Sequence, residues 1–390
     1  MSPRIKTLVA NLGLLGMSVA LSLIVLEGVV FRYVLPPDDL LENVTINRVV
    51  RYLPKSQATF RHPDGRTSLV TINADGWNSS KPEYKVARPE GVKRIAVVGD
   101  SYVHAAYVNN ADAFPEVMER ELKARGANVE VLRFGMDGAP LSQYLQMLRR
   151  EVRQYKPDIV VVQLVHNDFD ESYRFLQHRT ASSFMKVGVN EAGSVSEIPP
   201  VAFKPGIADE LRQFRTFRYL YYKTNAYLHF KRLISRFWWG GEEDFAPEWV
   251  SSAVDIRKIN DHEKNRYFAR YILDQMQKVA HEDGFELVIA MDGVREAIYE
   301  QLPPSSFEVG RLNRIAADVT RELGLPFIDL QAAFAVDYEL AGERFEFPYD
   351  WHWNVRGNRV AGEAITRFLL TKTQLAAGLR PVPAGLEAKK

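Results

Sequence analysis

The sequence contains no cysteine, and this absence excludes three kinds of site. Disulfide bonds, thiolate metal ligands and a cysteine nucleophile are all ruled out. The compartment stays open, because many exported proteins also lack cysteine. The chain also lacks a surplus of one charge, since 50 Lys and Arg residues stand against 49 Asp and Glu residues, a formal net charge of +1. Without a basic surplus there is no electrostatic footprint for nucleic acid, so none is expected as a partner.

Long apolar runs are lacking everywhere except near the N-terminus. Residues 7–31 carry a single charged side chain, Glu27, and the run is long enough to cross a hydrocarbon core of ~30 Å as a helix. Arg4 and Lys6 precede it, so the positive-inside rule predicts a cytoplasmic N-terminus. We therefore expect residues 1–35 to be an uncleaved, single-pass anchor in the cytoplasmic membrane. A cleaved signal peptide and a buried core helix are the alternatives.

Beyond residue 90, short apolar runs alternate with amphipathic segments. The patterns predict strands at 94–99, 129–134, 158–165, 286–291 and 326–330, and helices at 112–125, 141–155, 263–282, 307–323 and 356–370. Runs that are apolar almost throughout indicate strands covered on both faces. The alternation predicts an α/β fold with a doubly wound, mainly parallel sheet, whose site lies beyond the carboxyl ends of the strands.

Three parts of the chain do not follow this alternation. Residues 36–90 hold turn signals and are predicted to be an irregular leading segment, and residues 381–390 a disordered tail. Residues 170–262 are too long for a plain loop and are predicted to be an inserted cap. Within the cap, residues 212–241 contain seven basic residues, no acidic residue and many aromatic rings. These rings can stack on sugars, lie on a membrane surface or pack against the domain.

Two short blocks follow the first two predicted strands. Gly99-Asp100-Ser101 ends the first strand, and a serine at a strand end that opens into a helix is a candidate nucleophile. A capping turn is the alternative. Gly135-Met-Asp-Gly138 follows the second strand, where glycines allow backbone amides to approach a ligand, as an oxyanion hole requires. An ordinary strand-to-helix turn explains the same residues.

A third block, His166-Asn167-Asp168, follows the third strand. The side-chain amide of Asn167 can donate to a developing oxyanion, or it can cap the next helix. His166, Asp168 and Asp170 alternate in the manner of metal ligands. No further ligand stands at a supporting spacing, so no metal is expected.

The fourth block is Asp350-Trp-His352, which precedes the last predicted helix. Residues two apart in an extended segment point to the same side. Asp350 can therefore hold the imidazole of His352 in one tautomer and leave its other nitrogen facing a hydroxyl. A surface turn is the alternative. His104, three residues after Ser101, is the competing base, or a residue of the pocket wall.

Taken in this order, the four blocks resemble the SGNH hydrolases, also called the GDSL esterase/lipase family. The resemblance covers about residues 91–370, interrupted by the cap, so we expect a hydrolase-like domain over 91–380. Asn73-Ala-Asp-Gly76 and the apolar anchor also resemble the membrane-anchored bacterial branch of the family.

The resemblance implies a role for each block. It makes Ser101 the nucleophile, His352 the acid–base residue and Asp350 its partner. It also implies an oxyanion hole formed by the amide of Ser101 together with Gly138 and Asn167. No metal or organic cofactor is implied. Four neighbouring side chains are candidate substrate contacts: Tyr102, His104, His166 and Trp351.

The chain departs from the family pattern at three positions. The usual aspartate lies three residues before the histidine, where this chain has Tyr349. Val165 replaces the glycine of the third block, and Tyr102 replaces the leucine after the serine.

These observations predict a membrane-anchored serine esterase with its catalytic domain on the periplasmic or extracellular side. An O-acylated cell-envelope glycan is the first expected substrate and a lipid ester the second. The alternatives are an O-acyltransferase that uses the same residues, and a non-catalytic glycan-binding or assembly protein of the same fold.

Overall fold

The computed structural model describes residues 2–174, 184–201, 206–224, 249–251, 254–255, 261–348 and 350–376. The chain divides into two compact units. The first comprises Met1–Leu40, Ala58–Thr67 and Lys204–Ala246, and the second comprises Leu41–Gln57, Ser68–Phe203 and Pro247–Lys390.

The described residues form fifteen strands and twelve α-helices. The strands are β1 (Asn43–Ile46), β2 (Val49–Tyr52), β3 (Gln57–Arg61), β4 (Thr67–Thr71), β5 (Lys93–Gly99), β6 (Val129–Gly135), β7 (Ile159–Leu164), β8 (Lys186–Val189), β9 (Val195–Ile198), β10 (Trp249–Val250), β11 (Val254–Asp255), β12 (Glu286–Met291), β13 (Phe327–Asp329), β14 (Glu346–Phe347) and β15 (Asp350–Trp353). The helices are α1 (Pro3–Val25), α2 (Ser101–His104), α3 (Phe114–Ala124), α4 (Leu141–Arg150), α5 (Asp168–Glu171), α6 (Ile207–Leu211), α7 (Arg215–Arg218), α8 (His262–Asp283), α9 (Arg295–Tyr299), α10 (Gly310–Leu323), α11 (Gln331–Ala341) and α12 (Val355–Lys372).

A five-stranded parallel sheet forms the centre of the second unit. Its strand order is β6-β5-β7-β12-β13, and each neighbouring pair is parallel. The chain adds β6 on one side of β5 and then β7 on the other, so the order reverses between β5 and β7. A crevice opens at such a reversal, beyond the carboxyl ends of the strands, and that is where an α/β sheet binds its ligand.

The sheet strands are buried because helices cover both of their faces. Ile95 and Val97 face a core cluster that includes side chains of α3 and α12, and these two helices pack together. Ala96 and Val98 are also fully buried and, being one residue out of step, point to the opposite face. Helix α8 packs on α4 and on α10. The predicted α/β fold with a mainly parallel sheet is therefore confirmed.

The leading segment differs from the sequence prediction. Residues 36–90 were expected to be irregular, and this is wrong for the strands β1 to β4. β1 and β2 form an antiparallel hairpin whose turn residues, Asn47 and Arg48, have φ angles of 53° and 61°. Strands this short give too few alternating positions for the period of two to be recognised.

The insertion contains regular structure in both units. β8 and β9 form an antiparallel hairpin in the second unit, with Val187 opposite Glu197. Helices α6 and α7 belong to the first unit. The rest of the aromatic, basic stretch, residues 225–241, and the tail at 381–390 lie outside the described residues.

The first unit contains the apolar N-terminal segment. Helix α1 continues as a π-helical stretch, Leu26–Val34, and Pro3–Val34 together is long and apolar enough to cross a membrane. A signal sequence has the same length and composition. Glu27 accepts hydrogen bonds from the backbone N–H groups of Arg215 at 2.9 Å and Thr216 at 2.8 Å. The start of α7 is therefore fixed to this helical segment.

Candidate active site

Ser101 is the first residue of α2, directly beyond the carboxyl end of β5. The capping residue of this short helix is Asp100, whose carboxylate accepts the N–H of Tyr102 at 2.9 Å. The hydroxyl of Ser101 donates to the same carboxylate at 3.2 Å. Burial raises the pKa of Asp100 to about 6. Because Asp100 does the capping, the hydroxyl of Ser101 is not needed to hold the turn.

The two glycines of the second block have different structural roles. A Cβ atom at Gly135 would lie 2.1 Å from the backbone nitrogen of His104, so only glycine lets α2 pack against β6 here. Gly138 has a φ of +68°, the left-handed region that glycine adopts without strain. In the described part of the chain, its N–H has no hydrogen-bond acceptor. A free amide at the end of β6 is what an oxyanion hole needs.

Asn167 follows β7, and its side chain does not cap α5. Its Nδ2 donates to Glu171 at 3.3 Å. Burial and the neighbouring Asp170 raise the pKa of Glu171 to about 7. One hydrogen of the Asn167 amide stays available for a ligand.

The turn that carries Asn167 is held by Asp168. Its carboxyl group accepts the N–H of Val165 at 2.8 Å and the hydroxyl of Tyr144 at 2.7 Å. Asp168 has no exposed surface, and burial raises its pKa well above the usual range. Val165, in the position of the family's glycine, is likewise buried.

Asp350 and His352 form a close pair on strand β15. The Oδ1 atom of Asp350 accepts both the Nδ1–H of His352 at 2.5 Å and its backbone N–H at 2.8 Å. The two side chains therefore lie on the same side of the strand, as their spacing predicts. Burial alone would lower the pKa of His352, but Asp350, with Asp100 and Asp137 adding to it, raises that pKa. Tyr349, the residue at the usual family spacing, lies outside the described residues.

Hydrogen bonds join the strand of His352 to the helix of Ser101. The hydroxyl of Tyr102 donates to the backbone carbonyl of Trp351 at 2.7 Å across 249 positions of sequence. Arg295 donates to the same carbonyl and to the Tyr102 hydroxyl. The residue after Ser101 and the residue before His352 are thus bound to each other.

Two tyrosine rings complete the surroundings of His352. The ring of Tyr102 lies 5.1 Å from the imidazole, and that of Tyr107 stacks on it at 5.0 Å. Tyr107 also hydrogen-bonds Asp350. Burial raises the pKa of the Asp350 carboxyl, but the charge and hydrogen bonds of His352, with a smaller contribution from Tyr107, lower it below its ordinary value. Tyr102 and Tyr107 therefore both contact the pair of Asp350 and His352.

The hydroxyl of Ser101 and the imidazole of His352 do not hydrogen-bond in this structure. The hydroxyl donates to Asp100, and Nε2 of His352 has no hydrogen-bond partner among the described residues. Rotation of the Ser101 side chain between staggered positions redirects its hydroxyl. Catalytic hydrogen bonds often form only in the substrate complex, so the lack of one here is compatible with a catalytic pair.

Three of the four expected substrate contacts are buried, which corrects the sequence prediction. Tyr102, His104 and His166 have 4%, 0% and 0% of their surface exposed. His166 hydrogen-bonds Asn313 at 2.8 Å, and burial lowers its pKa. Trp351 is 40% exposed and is the one of the four that a substrate can reach. Sequence spacing placed these residues near the site, but burial depends on packing that spacing does not encode.

His104, the competing base, is fully buried. Its Nδ1 lies 2.6 Å from Asp137 and 3.0 Å from the hydroxyl of Tyr52. The side chain of His352 is 25% exposed, so His352 is the histidine that a substrate can approach.

Sequence reasoning missed Tyr52, Tyr107, Asp137 and Arg295. Asp137 lies within the second block, so its position was a usable signal. The other three residues lie in stretches of sequence that contain no motif. Only the tertiary fold brings them close to the site. Among the described residues, no group of three or more His, Asp or Glu side chains could hold a metal ion.

A comparison with protein families matches residues 95–213 to the GDSL-like lipase/acylhydrolase family. These residues are similar to that family, and the match covers less than a third of the chain. The matched segment contains Ser101, Gly138 and Asn167 and ends before Asp350. The histidine block, Asp350 and His352, lies outside the matched segment and rests on geometry alone.

Solved structures with a similar chain course include other hydrolases. One is a lipase/acylhydrolase from Enterococcus faecalis, with 18% identity and a TM-score of 0.40, covering 75% of this chain and 100% of that one. Another is a catalytic mutant of an acetylxylan esterase from Geobacillus stearothermophilus, with 12% identity and a TM-score of 0.39, covering 71% and 94%. A comparison with curated proteins finds no match.

Proposed function

We propose that this GDSL-like hydrolase is a membrane-anchored serine esterase with Ser101, His352 and Asp350 as its catalytic residues. The observation that carries the proposal is the Asp350–His352 pair bound, through Tyr102 and Trp351, beside Ser101. A half-buried carboxylate that fixes the tautomer of a partly exposed imidazole is the arrangement that activates a serine hydroxyl.

The proposed reaction has two steps. The Ser101 oxygen attacks the ester carbonyl while Nε2 of His352 takes its proton. The carbonyl oxygen becomes an oxyanion held by the amides of Ser101 and Gly138 and the side chain of Asn167. The carbon–oxygen bond to the leaving alcohol breaks, and His352 returns the proton to that alcohol. Water then attacks the acyl-enzyme by the same route and releases the acid.

A cavity of about 350 Å³ beside Trp351 is the candidate place for a sugar, although Ser101, Asp350 and His352 do not line it. It is bounded by Trp351, by the rings of Tyr299 and Tyr338, and by Arg295, Arg344 and three glutamates. Aromatic faces with mixed charged groups around them suit a ring that carries many hydroxyls. We therefore propose an O-acylated glycan as the substrate, with a lipid ester as the next candidate.

The apolar segment Pro3–Val34 supports anchoring to the cytoplasmic membrane. Basic Arg4 and Lys6 before it favour a cytoplasmic N-terminus, which puts the proposed catalytic residues on the periplasmic or extracellular side.

Product analysis with an acetylated oligosaccharide tests the proposal. We expect the native protein to release one acetate for each ester lost, and Ser101→Ala to release none. Ser305→Ala, an exposed serine, is the control and should keep full activity. With a second sugar present, transfer products in place of free acetate would identify an acyltransferase. No Ser101-dependent product of either kind would leave only a non-catalytic role.

A further inference from the structure

A buried cluster holds the loop that carries Gly138, and the proposed reaction does not use it. Tyr52, His104 and Asp137 form this cluster, the loop clamp. Tyr52 ends strand β2, His104 ends α2, and Asp137 directly precedes Gly138. Tyr52 is 2% exposed and His104 is fully buried.

The loop clamp binds both the backbone and the side chain of Asp137. Nδ1 of His104 lies 2.6 Å from the Asp137 carboxylate, and because a carboxylate only accepts, Nδ1 carries the hydrogen. The hydroxyl of Tyr52 accepts the backbone N–H of Asp137 at 3.1 Å and also bonds its carboxylate. The peptide unit next to Gly138 therefore has little freedom.

Packing alone does not account for His104. Its ring stacks on that of Tyr52 at 4.4 Å, a contact that phenylalanine or leucine would also make. Its Nε2 is buried without a hydrogen-bond partner among the described residues, which costs stability. The ring nitrogen that does have a partner is Nδ1, which binds Asp137.

We propose that Tyr52, His104 and Asp137 are positioning residues that hold the N–H of Gly138 where the oxyanion forms. The inference rests on the proposed esterase activity. Gly138 is in the left-handed region and its N–H has no acceptor in the described chain, so its direction depends on the residue before it. An oxyanion donor acts only when it is held in place before the reaction.

Comparing an ester with the matching thionoester tests this role. In the thionoester, sulfur replaces the carbonyl oxygen and accepts hydrogen bonds weakly, so the oxyanion hole contributes little. Tyr52→Phe keeps the ring and removes the hydroxyl that binds Asp137. We expect kcat for the ester to fall about 10- to 100-fold with KM nearly unchanged. The thionoester rate should fall much less, so the ratio of the two rates drops.

Tyr84→Phe is the matched control. The Tyr84 hydroxyl is also buried, and it accepts the N–H of Arg133 at 3.1 Å and donates to its carbonyl at 2.8 Å. It therefore binds strand β6 upstream of the loop. This variant should lose stability as Tyr52→Phe does and keep the native ratio of rates.

His104 supplies a second pair of variants. His104→Leu removes the donor to Asp137 and should lower the ratio, whereas His104→Asn keeps a donor near the position of Nδ1 and should restore part of it. If His104→Leu does not fold, Tyr52→Phe alone decides.

Equal losses on ester and thionoester, or no loss in Tyr52→Phe, would overturn the inference and leave the esterase intact. Absence of Ser101-dependent turnover in the native protein would overturn the proposed function and this inference with it.

Discussion

The proton affinity of His352 depends on the carboxylates around it. Burial lowers the pKa of His352, but Asp350 outweighs this effect and raises it above the ordinary value. In the proposed mechanism the neutral imidazole is the base, so kcat/KM should rise as the pH passes this raised pKa. We expect the acid limb of the profile to lie above pH ~6.5. A profile of kcat/KM between pH 5 and pH 9 measures it.

Replacing Asp350 tests the same coupling. In Asp350→Asn the imidazole loses its charge partner and its fixed tautomer, so we expect kcat to fall by about 10⁴-fold. The acid limb should also move to lower pH, because the main group that raises the pKa of His352 is gone. Asp337→Asn, in a carboxylate that pairs with Arg356 and Arg359 outside the site, is the control. An unchanged acid limb in Asp350→Asn would contradict the assignment.

Replacing the side chain of Asn167 is a second test of a single residue. Asn167→Ala removes one oxyanion donor, and we expect kcat to fall about 100- to 1,000-fold while KM changes little. Asn128→Ala, which removes an amide that donates to the Gly91 carbonyl, should leave kcat unchanged. Steady-state kinetics on one ester decides. A loss confined to KM would instead make Asn167 a substrate-binding residue.

Sequence spacing predicts the candidate site well where the local backbone decides the geometry. Asp350 and His352 face the same way because they are two apart on a strand. Ser101 and Asn167 each lie beyond the carboxyl end of a strand, and these two strands are parallel neighbours in the sheet. The spacing fails for His104 and His166. Their burial depends on Tyr52 and Asn313, which stand far away in sequence.

At the scale of elements, a buried ion pair fixes the β1–β2 hairpin to Glu151, the residue that directly follows helix α4. Arg51 on β2 donates to both carboxylate oxygens of Glu151, at 2.8 Å and 2.5 Å, and each side chain is 4% exposed. Arg51→Met leaves the Glu151 charge buried and unpaired, so we expect a loss of about 3–5 kcal/mol in unfolding free energy. Urea denaturation measures it.

The double variant Arg51→Met with Glu151→Leu separates charge from packing. Replacing both partners by apolar side chains removes the buried charge, so most of the lost stability should return. If the double variant is as unstable as the single one, the hairpin is held by the shape of these residues and not by their charges.

The close packing of helix α2 against strand β6 leads to a second prediction about how the elements fit together. In Gly135→Ala the new Cβ would meet the backbone nitrogen of His104, which cannot move as a side chain can. We expect a loss on the order of 1–3 kcal/mol and weaker activity, because the loop clamp shifts. In Gly188→Ala the nearest atom is a flexible side-chain carbon of Ile198 at 3.3 Å, and the loss should be smaller. Thermal denaturation of both variants compares them.

The central strands were predictable because burial on both faces leaves unbroken apolar runs. β12 matches its prediction at both ends, and β5, β6 and β7 match to within a residue or two. Helix ends are less certain: the helix expected from 141 to 155 stops at Arg150 and continues as a 3₁₀ turn, Val152–Tyr155. Strands β1 to β4 were not predicted from the sequence because each has only four or five residues.

At the scale of the whole molecule, the apolar segment Pro3–Val34 predicts that the protein fractionates with cell membranes. We expect the full-length chain to stay in the membrane pellet after alkaline carbonate extraction. Leu14→Arg with Leu15→Arg places two charges mid-segment, each costing about 2.5–3.5 kcal/mol in the bilayer centre, and should release the chain. Release of the native chain, or a product shortened by cleavage after this segment, would favour a signal peptide.

Labelling with a fluorophosphonate tests most directly whether His352 and Asp350 activate Ser101. This reagent bonds covalently to a serine oxygen that a neighbouring base has activated. We expect one labelled peptide, which contains Ser101, with labelling lost in Ser101→Ala and strongly slowed in His352→Ala. Equal labelling of the native protein and Ser101→Ala, or no labelling of a folded native protein, would contradict it.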